Sequence, residues 1–141
     1  MLTLGQIAHF HTFGFLVLRQ LFSAEEMRII KMESDTIFDE VRGGKPFTAE
    51  ARQCVIPFFE RRPFMSKLAD DDRIYNIGVD LLGPDFVLDC TEGNLHVGDT
   101  IWHCQQPGEF PLPNIKIGFY PEPLSVDSGC LRVIPGSHIP G

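Results

Sequence analysis

At Gly83-Pro84 the hydrophobic pattern of this chain changes period, and that switch limits the folds open to it. Before it, apolar residues recur at helical spacing. After it, short apolar runs alternate with Gly, Pro, Asn and Asp: Phe86-Val-Leu88, Asn94-Leu-His-Val97, Thr100-Ile-Trp-His103, Ile115-Lys-Ile-Gly-Phe-Tyr120 and Cys130-Leu-Arg-Val-Ile134. Runs of that length between turn-formers read as four or five strands. Helices first and strands later predict an α+β protein, with helices packed on a β-sandwich or jelly roll. The expected division is helical over 1–84 and β-rich over 85–141, within one domain, since 141 residues are enough for one real core.

The clearest local signal is Ser23-Ala-Glu-Glu26. Its Ser hydroxyl can accept from the backbone N–H three residues on, while Glu26 reaches back to close a capping box. Behind it, Met27, Ile30, Ser34, Ile37, Phe38 and Val41 share one face of a helix that Gly43-Gly44 stops. A second helix is predicted over 70–82, with Ile74, Ile77, Leu81 and Leu82 on one face. A short helix over 3–11 precedes Phe13-Gly-Phe-Leu-Val-Leu18, which reads as a buried strand. Residues 45–63 read as loop.

Composition excludes several function classes. The net charge is −7 and the pI about 5.1, a balance that repels a phosphate backbone, so no nucleic-acid partner is expected. No run approaches the roughly 20 apolar residues of a membrane span, and no secretory leader is visible. The cysteines, Cys54, Cys90, Cys104 and Cys130, include no CxxC pair. Free thiols in a cytoplasmic protein are the simplest reading. Dinucleotide, P-loop, nucleophile-elbow and HExxH patterns are all missing from the sequence.

One constellation points to chemistry. On a strand, His103 and Gln105 in Trp102-His-Cys-Gln105 face the same way. That spacing matches a ligand pair on adjacent positions of an octahedral metal, the usual version being His-x-Asp of non-haem Fe(II) oxygenases.

Three stretches, in order, resemble the phytanoyl-CoA dioxygenase family. They are Phe10 through Leu18, with Gly14-Phe-Leu-Val-Leu18, followed by the Ser-Ala-Glu-Glu helix; Val97-Gly-Asp-Thr-Ile-Trp-His103; and Gly118-Phe-Tyr-Pro-Glu-Pro-Leu124 followed by Asp127-Ser-Gly-Cys-Leu-Arg-Val-Ile-Pro-Gly-Ser-His138. The last run is the most specific. The resemblance implies N-terminal helices on a partial double-stranded β-helix (a cupin-like jelly roll), with Fe(II) and 2-oxoglutarate as cofactors. It implies hydroxylation of a small organic substrate as 2-oxoglutarate is decarboxylated to succinate. His103 takes the place of the first iron-binding histidine and Gln105 that of the ligand aspartate. Asn94, His96 and Lys116 lie on candidate strands that could line the pocket and hydrogen-bond 2-oxoglutarate, Asn94 and Lys116 being the nominated contacts.

The chain departs from the family twice. Gln105 offers a dipole where a carboxylate would offset the ion's charge, and Asp99 and Glu109 stand at other spacings. The family's distal histidine, its 2-oxoglutarate-binding arginine and several strands have no counterpart up to Gly141, and His138 matches a turn residue of the family. The expectation is therefore an oxygenase chain inactive by itself, prone to self-association through exposed strand edges. The alternative is a relative that lost iron and serves as a binding module. Trp102 and Cys104 are expected to be packing residues, and His9 and His11 to face solvent.

Overall fold

Helix α2 (Ala24–Arg42) organises the molecule, and both of its ends are where the sequence puts them. Ser23 Oγ accepts from the Glu26 N–H at 3.2 Å, and the Ser23 N–H donates to Glu26 Oε2 at 2.7 Å. At the other end Gly43 turns left-handed at φ 64°, and its N–H returns to the carbonyls of Asp39 and Glu40. The computed structural model describes residues 1–48, 52–103 and 113–139.

The buried face of α2 is Ile30, Ser34, Ile37 and Phe38. These side chains meet Phe22, Val55, Phe58, Met65 and Leu68 in one core. Ile30, Ile37 and Met65 are fully buried. Each such side chain contributes about 1.5–3 kcal/mol by leaving water. Aromatic pairs close the cluster, with Phe38 and Phe58 ring centroids 5.1 Å apart.

Helix α1 (Leu4–Phe13) starts with a second capping box, Thr3 with Gln6, and ends at Gly14, whose φ of 80° is left-handed. After α2 the chain forms strand β1 (Gln53–Val55), a 3₁₀ turn over Phe59–Arg61, helix α3 (Pro63–Ala69) and helix α4 (Asp72–Leu82). Proline at the first turn of α3 forfeits no hydrogen bond there. Asp71 caps α4 by accepting from the Arg73 N–H. Strand β2 (Gly93–Leu95) then pairs with β1 in antiparallel register, Cys54 opposite Asn94. Position 93 admits only glycine: a Cβ there would lie 2.2 Å from the Phe58 ring.

Helices α1, α2 and α4 fall where expected, α4 beginning two residues later than 70, while α3 was not expected. The sheet differs from expectation. Among the described residues it consists of β1 and β2 alone, so the expected jelly roll and double-stranded β-helix are absent. Residues 14–18, 86–88, 100–103, 115–120 and 130–134 lie outside any ladder. The stretch expected to be loop, 45–63, supplies β1 instead. An apolar run between turn-formers signals an extended, partly buried segment, but a strand also requires a neighbour for its backbone N–H and C=O groups. Phe119 shows the difference. It packs its ring 5.3 Å from Phe22 and 5.8 Å from Phe59, attached to the core by its side chain with no ladder on either side.

Candidate functional site

His103 is at the surface, not turned into a barrel. Its Nδ1 lies 2.9 Å from the carbonyl oxygen of Ile101. A carbonyl only accepts, so in the neutral ring Nδ1 carries the hydrogen and Nε2 keeps its lone pair. This is the tautomer a metal-ligating histidine adopts when a backbone carbonyl orients it. Gln105, Cys104 and Glu109 lie outside the described residues.

Asp99 is engaged elsewhere. Its Oδ1 accepts from the Thr100 N–H at 2.9 Å and from Arg132 Nη2. The Arg132 guanidinium also stacks on Trp102, its carbon 4.9 Å from the ring centroid. Trp102 is 57% exposed, so it is not the packing residue expected from sequence.

Asn94 and Lys116 come together around Glu92. Lys116 Nζ forms an ion pair with the Glu92 carboxylate. That hydrogen bond is the main cause that holds the Glu92 carboxyl below its ordinary range, with help from Asn94 and from the charge of Arg52. Arg52 donates twice, from Nε at 2.8 Å and Nη2 at 2.5 Å, to the Asn94 side-chain oxygen. The two nominated cofactor contacts are thus neighbours, but Lys116 already has a carboxylate. His96 is exposed on the segment following β2.

His138 lies at the C-terminal end of α1. Its Nε2 donates to the His11 carbonyl at 3.1 Å, and the Gly136 N–H donates to the Phe13 carbonyl at 2.9 Å. The Pro-Gly-Ser-His turn therefore satisfies carbonyls that the helix end leaves open. His11 is exposed as expected; His9 is half-buried, its ring 4.7 Å from Phe13 and 5.4 Å from Phe15.

Sequence reasoning missed Arg132 and Arg52. Arg132 carried a signal, a lone cation inside the apolar run Leu131–Ile134, and Asp99 was the obvious partner to seek. Arg52 carried none, because β1 was not foreseen.

Among the described residues, no three His, Cys, Asp or Glu side chains gather to hold a metal ion. The described residues therefore do not by themselves make up an iron centre. A separate open cleft of about 410 Å³ is lined by Arg42, Lys45, Pro46, Phe47, Thr48, Arg52 and Gln53, and it includes none of the nominated residues. Among the described residues no helix is long and apolar enough to cross a membrane. Comparison with protein-family models, with curated proteins and with solved structures produced no match.

Proposed function

We propose that this chain presents the His103 arm of an Fe(II)- and 2-oxoglutarate-dependent oxygenase acting on a small molecule, and that it does not turn over alone. One observation carries the reading. The three stretches that resemble phytanoyl-CoA dioxygenases touch one another through specific contacts. The first meets the third where Gly136 bonds Phe13, and the second meets the third where Arg132 grips Asp99 and Trp102. With Nδ1–H on the Ile101 carbonyl, the donor atom left to His103 is Nε2, the tautomer of a metal-ligating imidazole oriented by a carbonyl.

Iron with 2-oxoglutarate would supply O₂ activation and C–H hydroxylation; the described residues supply one ligand and no further step. Lys116 would need to exchange Glu92 for a 2-oxoglutarate carboxylate. Gln105 in place of the family's ligand aspartate favours a second reading, a non-catalytic binding module.

Anaerobic Fe(II) titration, with succinate release measured in air, separates the two. The oxygenase reading expects weak Fe(II) binding that His103→Ala abolishes, tighter binding in Gln105→Asp because a carboxylate offsets the ion's charge, and no succinate from the unaltered chain. Binding indifferent to His103→Ala would remove the oxygenase reading. No binding even in Gln105→Asp would leave the binding module.

A further inference from the structure

Segments 97–103 and 130–134 share no ladder, yet one side chain ties them at three points. Arg132 Nη2 donates to Asp99 Oδ1 and lies 3.5 Å from the Thr100 carbonyl oxygen. The same guanidinium lies over the Trp102 ring, its carbon 4.9 Å from the centroid. Asp99 is itself fixed to its segment by the Thr100 N–H. Positions 99, 100 and 102 are thus held by Arg132, while 101 and 103 are joined by the His103–Ile101 hydrogen bond. A planar guanidinium suits this task, donating from its edge while stacking through its face. Lysine offers a point charge and keeps only part of it.

The geometry points to Arg132 as the positioning residue for His103: it clasps the preceding residues so that the imidazole keeps its Nδ1–H on Ile101 and leaves Nε2 as the acceptor nitrogen. The clasp is independent of any metal. Only its purpose rests on reading His103 as the site imidazole.

Trp102 is the sole tryptophan, so fluorescence of the full chain reports the clasp directly. The test compares wild type, Arg132→Met, Arg132→Lys and Asp99→Asn by acrylamide quenching of Trp102 and by ¹⁵N NMR of the His103 ring. Each exposed contact is modest, and together they favour the held state by roughly tenfold. Arg132→Met is expected to forfeit that factor, raising quenching and moving His103 off its Nδ1–H tautomer. Arg132→Lys is expected to recover part of both signals. Asp99→Asn, which removes only the ion pair, should shift both in the same direction by less, and it keeps the test alive should Arg132→Met fail to fold. Unchanged quenching and an unchanged His103 tautomer in a folded Arg132→Met, or in Asp99→Asn if that is the variant that folds, would overturn the proposal. If the variants respond as expected but His103→Ala leaves Fe(II) binding intact, the clasp stands and the oxygenase reading falls. His103-dependent Fe(II) binding with no response to Arg132→Met is the converse.

Discussion

The ring of His138 occupies the space where a side chain on residue 14 would begin: a Cβ built on Gly14 would lie 2.3 Å from His138 Nδ1. Gly14 also sits at φ 80°, a left-handed conformation that costs other residues about 1–2 kcal/mol. Gly14→Ala is therefore expected to incur that backbone cost and to push His138 off the His11 carbonyl, a further loss of about 1 kcal/mol. In a His138→Ala background the same substitution should show the backbone cost alone. Urea denaturation of the two single variants and the double variant measures the difference. Strict additivity would mean that the two residues do not share the site.

Thr91 is the most exacting polar position in the core. Its hydroxyl oxygen accepts from the N–H groups of Phe58 and Phe59, both at 3.0 Å, while its proton goes to the Glu60 carboxylate. Thr91→Val keeps the shape but leaves both N–H groups without a partner. The expected loss is about 2–3 kcal/mol, from the cost of unmade hydrogen bonds at buried groups. Thr91→Ser, which keeps the oxygen, should stay within about 1 kcal/mol of wild type. Amide hydrogen exchange at Phe58 and Phe59 should accelerate in the Val variant and not in the Ser variant.

The helices were legible because their information is local. A capping box, a 3.6-residue stripe and a terminal glycine all lie within α2, and α4 has its own stripe and stop. The jelly roll was not legible, because whether Ile115-Lys-Ile-Gly-Phe-Tyr120 forms a strand depends on what lies beside it, which periodicity does not record. β1 was hidden for the opposite reason: Gln53-Cys-Val55 is too short and mixed to announce a strand, and its pairing is fixed by the fit of Gly93 against Phe58. At the site, the tripeptide spacing found His103 but not its exposure, since burial of an extended segment depends on its partner too.

Large apolar side chains outside the helices remain open to water, with Ile101 at 85%, Val126 at 90% and Val87 at 82% exposure. Both outer edges of the β1–β2 sheet are also unpaired among the described residues. Such surfaces favour self-association. Light scattering coupled to size exclusion is expected to show a mass that rises with concentration. Ile101→Lys together with Val126→Lys should reduce it without changing the thermal midpoint, because neither residue belongs to the core. A mass that stays at one chain across the range would show that these surfaces are inert.

Arg73 links α4 to the start of α2, and its effect should be visible as acid sensitivity. Its guanidinium donates to Glu26 and Asp71, reaches the Leu21 carbonyl at 3.2 Å, and stacks 3.9 Å from the centroid of Phe22. Hydrogen bonding from Arg73, then from the Ser23 backbone and hydroxyl, lowers the Glu26 carboxyl from 4.5 to about 2. The Asp71 carboxyl is lowered as well, chiefly by Arg73. A carboxyl whose folded value lies below its unfolded value binds its proton more readily once the chain unfolds. Its contribution to stability is therefore complete above about pH 4.5 and drains away as the pH falls toward about 2. Arg73→Met should reduce stability at neutral pH and, by returning Glu26 and Asp71 toward their ordinary values, flatten the decline through that window. Glu25 and Glu92, lowered by Arg28 and Lys116, keep their own acid dependence in both proteins, so the difference between the two curves isolates the Arg73 cluster. Urea denaturation across the window, with ¹³C NMR of the Glu26 carboxyl, measures both. A Glu26 that titrates in the ordinary carboxylate range in the wild-type chain would mean that Arg73 does not hold it.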